Sequence, residues 1–303
     1  MMTSPRPNAF GSRRQPSLHA PVTHGFDYSS EVKTSVHCPQ NLRGLAACLA
    51  LAACMLFPAV AKAQGNYEVQ VYGSDLVPPG QTMVELHSNF TFQGSKDTVD
   101  GVRPDIHALH ETLEITQGFT PWFETGFYLF TSYRAGEGWQ YVGDHIRPRV
   151  SIPEDWKWPV GLSLSMEVGY QRRSYSTDTW TWEIRPIVDK TIGPWYLCLN
   201  PVLDRSFHGA EVSKGVTFSP NVKIGYELSK KVSAGIEYYG AVGSVTGFDP
   251  IRDQQQAIMP AIDLNLSPKW EFNLGVGVGM TSGTDHLLVK MILGRRLQFG
   301  RKP

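Results

Sequence analysis

Cysteine is scarce in this 303-residue chain, and three of its four cysteines lie within the first 54 residues. Cys198 stands alone after them, so the remainder cannot form an internal disulfide and shows no zinc-binding spacing. We interpret Cys198 as an inert small side chain on a strand. His107 and His110, three apart on a strand, would point to opposite sides, so the sequence predicts no metal site.

Charge is also low, and its balance argues against some partners. Charged residues make up 18% of the chain, against a usual share of about 25%. Lys and Arg (28) equal Asp and Glu (28), and no basic run occurs, which argues against a nucleic-acid partner. Glycine alternates from Gly275 to Gly279 without a helix to follow, so no nucleotide or other cofactor is predicted.

Long apolar runs are absent after residue 63, which excludes a membrane-spanning helix there. Residues 42–63 differ, because an apolar block follows Arg43 and ends in the small-x-small pattern Ala61-Lys62-Ala63. This pattern predicts a signal peptide, cleavage after Ala63 and export of the chain. Leu51-Ala52-Ala53-Cys54 also fits a lipobox, and lipidation of Cys54 stays open as an alternative.

The first 41 residues are rich in Pro, Ser, His and Arg and have no periodicity. We interpret them as a disordered extension or as the product of a start codon assigned too early. A cytoplasmic tail on an uncleaved anchor is the alternative. Six basic and two acidic residues precede Gln64, so the mature chain would carry 22 basic and 26 acidic residues.

Apolar and polar residues alternate with period 2 through most of the mature chain, which predicts strands. Between residues 160 and 170, for example, the even positions are apolar or aromatic and the odd positions are small or polar. No segment shows a convincing helical period. We expect twelve strands, near residues 82–93, 107–119, 123–134, 140–152, 160–172, 179–192, 195–206, 216–228, 231–244, 256–267, 269–280 and 286–299.

The connections between these strands alternate between tight turns, such as 120–122, and longer polar loops, such as 94–106 and 245–255. Transmembrane barrels have short periplasmic turns and longer outer loops. The sequence therefore predicts an all-β antiparallel up-and-down transmembrane barrel of about twelve strands over residues 82–299. Both termini would be periplasmic, with a periplasmic segment at 64–81 and a C-terminal tail at 300–303.

Aromatic residues gather at both ends of the predicted strands, as they do in the interfacial belts of membrane barrels. Those beside tight turns are Trp122, Trp156, Trp158, Trp195 and Trp270. Those beside the loops are Tyr133, Trp139, Tyr141, Tyr170, Tyr175, Trp180 and Phe207. We therefore predict that the chain lies in the outer membrane of a Gram-negative bacterium, surrounded by lipid.

The face opposite the apolar one carries many ionisable groups, which could not face hydrocarbon at about 2–4 kcal/mol for each cation at the midplane. The predicted pore-lining residues are Glu85, His87, His110, Glu114, Glu124, His145, Arg147, Arg149, Glu167, Glu183, Arg185, Asp204, Lys223, Glu227, Glu237, Asp263, Glu271 and Lys290. Acidic groups outnumber basic ones on this face, so we expect a channel for small solutes with a modest cation preference. A closed, salt-bridged lumen with a structural role is the alternative.

Three motifs point to a known family: Tyr67-Glu68-Val69-Gln70-Val71-Tyr72, the first turn Thr120-Pro121-Trp122-Phe123-Glu124-Thr125-Gly126, and Arg147-Pro148-Arg149. The chain resembles the outer-membrane barrels described as transporters of a phenol-degradation meta-cleavage pathway. The resemblance covers roughly residues 80–299 and implies a small polar or aromatic solute. Phe299 stands where such barrels carry the terminal Phe that the barrel-insertion machinery recognises.

One segment contains the residue types of a hydrolase. His87-Ser88-Asn89 is similar to the His/Ser/Asn set of the outer-membrane phospholipases, which are also twelve-stranded barrels. Neighbouring residues on a strand face opposite sides, however, and a nucleophile and its base need roughly 3 Å contact. We therefore predict no enzyme, and keep a lipid hydrolase as an alternative to the channel.

Overall fold

A computed structural model of the chain describes residues 67–298, and these residues form a barrel of long antiparallel strands. The predicted extension, signal peptide, Cys54 and Phe299 lie outside the described residues. The strands are β1 (Gln81–Gln93), β2 (Leu109–Thr120), β3 (Phe123–Arg134), β4 (Gly138–Ser151), β5 (Gly161–Gln171), β6 (Asp178–Ile192), β7 (Trp195–Gly209), β8 (Val216–Ser229), β9 (Val232–Ala241), β10 (Gly243–Ser244), β11 (Gly247–Phe248), β12 (Gln255–Ser267), β13 (Trp270–Gly279) and β14 (Leu287–Gln298).

Twelve of these strands close the barrel, and β10 and β11 form a short hairpin in one loop. Each barrel strand pairs antiparallel with the next along the chain, β9 pairs with β8 and β12, and β14 pairs with β1. The predicted all-β, twelve-stranded antiparallel barrel is therefore confirmed. Between residues 67 and 298, helical structure is limited to the 3₁₀ turns Glu154–Trp156 and Ala210–Lys214. None of these residues forms a helix long and apolar enough to span a membrane.

The strand faces are inverted relative to a water-soluble barrel. On β5, Leu164 is 40% exposed and Met166 is 49% exposed, whereas Ser165 is 1% exposed and Glu167 is 4% exposed. On this strand apolar side chains therefore stand outside and polar ones inside, and exposed apolar side chains recur on the other barrel strands. Soluble sheets bury their apolar face, while barrels in lipid place it outward.

A bulge in β4 explains an acidic residue on the outer face. The pairing of β3 with β4 skips Val142, because Phe130 pairs with Gly143 and Thr131 pairs with Tyr141. The extra residue allows Tyr141 and Asp144 to share the outer face, where the Tyr141 hydroxyl donates to the Asp144 carboxylate.

The prolines within the strands do not shift the pairing register. Pro201 and Pro220 lie directly opposite each other in β7 and β8, with regular pairing on both sides. Around Pro186 the pairing of β6 with β7 is interrupted between Ile184 and Val188, and it resumes in the same register. Each proline removes a ladder hydrogen bond without adding a residue, so the register is conserved.

Candidate functional site

An extended segment of residues 67–77 occupies the interior of the barrel. Its contacts reach β1, β3, β4, β6, β7 and β14, on all sides of the wall. Residues 67–77 belong to the segment 64–81 that the sequence predicts to be periplasmic, and in the structure they run through the lumen. We call residues 67–77 the luminal segment.

Side chains of the wall bind the backbone of the luminal segment, in place of a neighbouring strand. The Asn200 amide accepts from the Tyr72 N–H at 2.8 Å and donates to the Tyr72 carbonyl oxygen at 2.9 Å. Lys290 Nζ donates to the Val69 carbonyl oxygen at 3.0 Å. These bonds satisfy buried backbone groups that would otherwise cost about 1–3 kcal/mol each.

The lower part of the luminal segment, toward the tight turns, is held in the same way. Arg149 donates to the carbonyl oxygens of Gly73 and Asp75. The Asp189 carboxylate accepts from the Ser74 N–H at 2.6 Å and from its hydroxyl at 2.9 Å. These hydrogen bonds involve charged side chains of the wall, which makes them stronger than bonds between neutral groups and stabilises one conformation of the segment.

Tyr72 is the central side-chain anchor of the segment. The guanidinium carbons of Arg185 and Arg147 lie 4.6 and 5.0 Å from the centre of its ring. Both arginines therefore form cation–π contacts with the ring, away from solvent. Its hydroxyl lies 3.3 Å from that of Tyr128. Tyr72 therefore brings two inner-wall arginines together inside the lumen.

Most predicted pore-lining side chains are buried on the inner side of the wall. The buried ones are Glu85, His87, His110, Glu114, Glu124, Arg147, Arg149, Glu167, Arg185, Glu237 and Lys290. His145, Glu183, Asp204, Lys223, Asp263 and Glu271 are partly buried, and Glu227 is exposed near a tight turn.

Ion pairs connect these side chains into separate groups. Arg147 binds Glu114 at 2.6 Å and lies 3.6 Å from Glu124, which also lies 3.6 Å from Arg149. On the opposite wall, Glu237 pairs with both Lys290 and Lys223. Further pairs are His145 with Glu167, Arg185 with Glu183, Lys223 with Asp263, Arg296 with Glu271, His87 with Glu114 and His110 with Asp105. The bases are thus neutralised locally, as the salt-bridged alternative expects.

Above the luminal segment, a cavity of about 510 Å³ lies at the loop end of the barrel. Its floor includes Tyr67 and Glu68 of the segment, and loops form its sides. The carboxylates that line it are Glu68, Asp97, Asp100, Asp105, Glu167, Asp178, Glu183, Asp204, Glu211, Asp249 and Asp253, and the bases are Arg103, Arg185, Arg205 and Lys214, with His145. We call this cavity the vestibule; acidic residues outnumber basic ones in its lining.

Aromatic rings form part of the vestibule. Tyr67 packs edge-on against His110, with ring centres 4.5 Å apart, and clusters with Phe130 and Tyr175. The sequence predicts Tyr175 in the outer belt, but the loop folds it inward against this cluster. The vestibule thus combines negative charge with aromatic surface.

The sequence pattern places Asn200 and Asp189 on the inward-facing phase, but it does not predict that they bind the backbone of the luminal segment. Tyr67, Val69 and Val71 alternate with polar residues, so a period-2 signal for an extended segment was present. The pattern does not predict which wall residues form hydrogen bonds with the backbone of the segment. That depends on register around the barrel.

Comparison with known proteins agrees with this architecture. Residues 143–287 match the family model described as "Putative MetA-pathway of phenol degradation". The family resemblance is confirmed. Among solved structures, an outer membrane channel from Pseudomonas putida F1 is 12% identical with a TM-score of 0.52, over 76% of this chain and 100% of that one. This likeness supports the fold.

Two further solved structures are similar to a lower degree. The NanC porin is 8% identical with a TM-score of 0.46, over 72% of this chain and 100% of that one. An active-site variant of outer membrane phospholipase A from Escherichia coli is 12% identical with a TM-score of 0.45, over 76% of this chain and 92% of that one. No curated protein matches the chain.

The hydrolase motif is not assembled at His87. The Ser88 hydroxyl donates to Glu111 at 2.9 Å, while His87 Nε2 lies 3.3 Å from Glu114 on the inner face. Asn89 donates to the Tyr67 carbonyl oxygen at 3.3 Å. The three side chains therefore serve separate contacts.

Proposed function

We propose that this protein is an outer-membrane channel for the passive passage of small solutes, with a modest cation preference. The observation that carries the proposal is the inverted barrel, which has an apolar exterior and a charged interior. Exposed aromatic residues such as Trp122 and Trp195 at the turn end, and Trp139 and Trp180 at the loop end, support two membrane interfaces.

In this proposal the luminal segment constricts the channel, and the vestibule is where solutes enter. Excess carboxylates in a narrow, low-dielectric space concentrate cations and repel anions. The family description and the Tyr67, Phe130 and Tyr175 cluster support a small polar or aromatic solute. The barrel-insertion machinery would be the assembly partner.

The long loops would face the cell exterior, and both ends of the barrel chain would face the periplasm. We expect a peptide tag inserted after Gly247, which is exposed, to bind antibody on intact cells. A tag at Lys230, in a tight turn, should bind only after the outer membrane is permeabilised. The reverse pattern would contradict this orientation.

Reversal potentials in planar bilayers, under a KCl gradient, test the proposed selectivity. We expect a modest preference for K⁺, weakened by Asp97→Asn, which removes an exposed carboxylate from the vestibule lining. Glu154→Gln is the matched control, because Glu154 is exposed in the turn on the far side and should leave the potential unchanged. Clear anion preference would contradict the proposal, and absence of conductance would favour a structural barrel.

A further inference from the structure

We propose that Glu85, His87 and Glu114 form a binding site for a divalent transition-metal ion on the inner wall. Glu85 of β1 pairs directly with Glu114 of β2, and His87 follows two residues after Glu85 on the same face. One donor atom from each residue lies within 4.8 Å of the others. Three potential ligands thus converge from two neighbouring strands.

The donor atoms of His87 and the second oxygen of the Glu114 carboxylate are buried and form no hydrogen bond within the described part of the chain. His87 is 0% exposed and Glu114 is 1% exposed. Neither ring nitrogen of His87 makes a hydrogen bond of good geometry with the described residues, and neither does Glu114 Oε2. Buried polar atoms are normally satisfied, so this cluster calls for a partner. One ring nitrogen of His87 lies 3.3 Å from Glu114 Oε2.

The surrounding charges leave this cluster acidic. Arg147 occupies Glu114 Oε1 at 2.6 Å, which leaves Oε2 as the free oxygen. Arg147 and Arg149 are matched by Glu114 and Glu124. Glu85 forms no ion pair within residues 67–298, although it lies directly opposite another carboxylate. Like charges directly opposite each other across two strands are destabilising, and a bound cation would remove that repulsion.

The donor set selects the class of ion. Imidazole with carboxylates suits Zn²⁺ and related transition metals, with bonds of about 2.0–2.2 Å. Two donors on one such ion are roughly 3–3.5 Å apart; His87 Nε2 and Glu114 Oε2 are 3.3 Å apart. Ca²⁺ takes about six to eight oxygens and Mg²⁺ keeps several waters, which this buried site does not offer.

Metal binding can be measured directly on the full-length barrel, purified with a tag that contains no histidine. After removal of metal with a chelator, the protein is refolded with Zn²⁺, passed through a desalting column and analysed for bound zinc. We expect one ion per chain. When Co²⁺ replaces Zn²⁺, we expect the visible absorption bands of cobalt with a low coordination number. Refolding with the ion is used because the ligands are buried.

Three variants separate this site from adventitious binding. His87→Ala and Glu85→Gln should each weaken Zn²⁺ affinity at least about tenfold, the usual effect of losing a ligand or its support. His110→Ala is the matched control, since His110 is a similarly buried histidine on the inner face whose acidic neighbour is Asp105 at 3.7 Å. The His110→Ala variant should bind zinc with the same affinity as the unmodified chain.

Heat-modifiable migration on gels confirms that each variant is folded. Zinc bound equally by His87→Ala would mean an adventitious ion only, held by other histidines, and would overturn the proposal. Failure of the unmodified chain to bind Zn²⁺ or Co²⁺ would overturn it as well. None of these outcomes depends on channel activity.

Discussion

At the scale of single residues, the sequence predicts which side chains face outward and which inward, because a strand alternates its two faces. Leu164 and Ser165 are neighbours that the barrel separates into exposed and buried positions. The partners of the inward residues could not be predicted. That Arg147 binds Glu114 follows from the register of β2, β3 and β4, which sequence spacing alone does not specify.

A charge placed on the outer face should block insertion into the membrane. Leu164→Arg puts a cation on the apolar surface, at a cost of about 2–4 kcal/mol near the midplane. We expect the folded barrel in outer-membrane fractions to be strongly depleted. Ser219→Arg is the control, because Ser219 lines the vestibule beside Asp204 and an arginine there can pair with that carboxylate. Equal yields of both variants would contradict the assignment of the outer face.

A methyl group at Gly118 should displace the luminal segment. A Cβ at Gly118 would lie 2.1 Å from the Val77 carbonyl oxygen, which is too close for any contact. Gly225 is also on the inner face, but there the nearest atom would be 3.7 Å away. We expect Gly118→Ala to raise single-channel conductance and to make the segment sensitive to protease, while Gly225→Ala behaves as the unmodified chain. Unchanged conductance in both would mean that the segment does not constrict the channel.

At the scale of elements, the period-2 pattern and the turn residues predict all twelve barrel strands to within a few residues. The largest difference is β9, predicted over 231–244, which ends at Ala241. There the chain leaves β12, and Gly243–Ser244 pairs with β8 and with β11 instead. The luminal segment escaped prediction for a related reason: its alternation resembles a strand, but side chains replace the strand partner.

Docking of the luminal segment should depend on pH through Glu68. Burial, and after it the Glu167 carboxylate, raises the pKa of Glu68 well above its ordinary range, although Arg185 opposes this. The docked segment therefore binds a proton more tightly than a released segment, in which Glu68 has the ordinary glutamate pKa of about 4.3. At pH values above the raised pKa, docking costs free energy because Glu68 is charged in a buried place. As pH falls from the raised pKa toward the ordinary pKa of a glutamate, Glu68 takes up a proton and docking becomes more favourable.

We therefore expect conductance to decrease on acidification through this window. The measurement is single-channel conductance at a series of pH values. Glu68→Gln keeps the side-chain shape and removes the titrating group, so its conductance should lose most of this dependence. A conductance that rises on acidification, or a dependence that Glu68→Gln leaves intact, would contradict this account.

At the scale of the whole molecule, the barrel is a cylinder whose exterior suits lipid and whose interior is held together by ion pairs. The closed sheet leaves no strand edge, which is what a membrane barrel requires. A twelve-stranded barrel has a backbone diameter of roughly 24 Å, wide enough for a small solute once side chains are counted. The luminal segment takes up that space. We therefore expect this segment, rather than the wall, to set the electrical resistance of the channel.

The most direct test compares the single-channel conductance of the full chain with that of a variant lacking residues 67–77, in planar bilayers at one salt concentration. Both proteins should show the heat-modifiable migration of a folded barrel. We expect small or intermittent conductance for the full chain and a several-fold larger, steady conductance for the variant. Equal conductances from two folded barrels, or none from either, would contradict it.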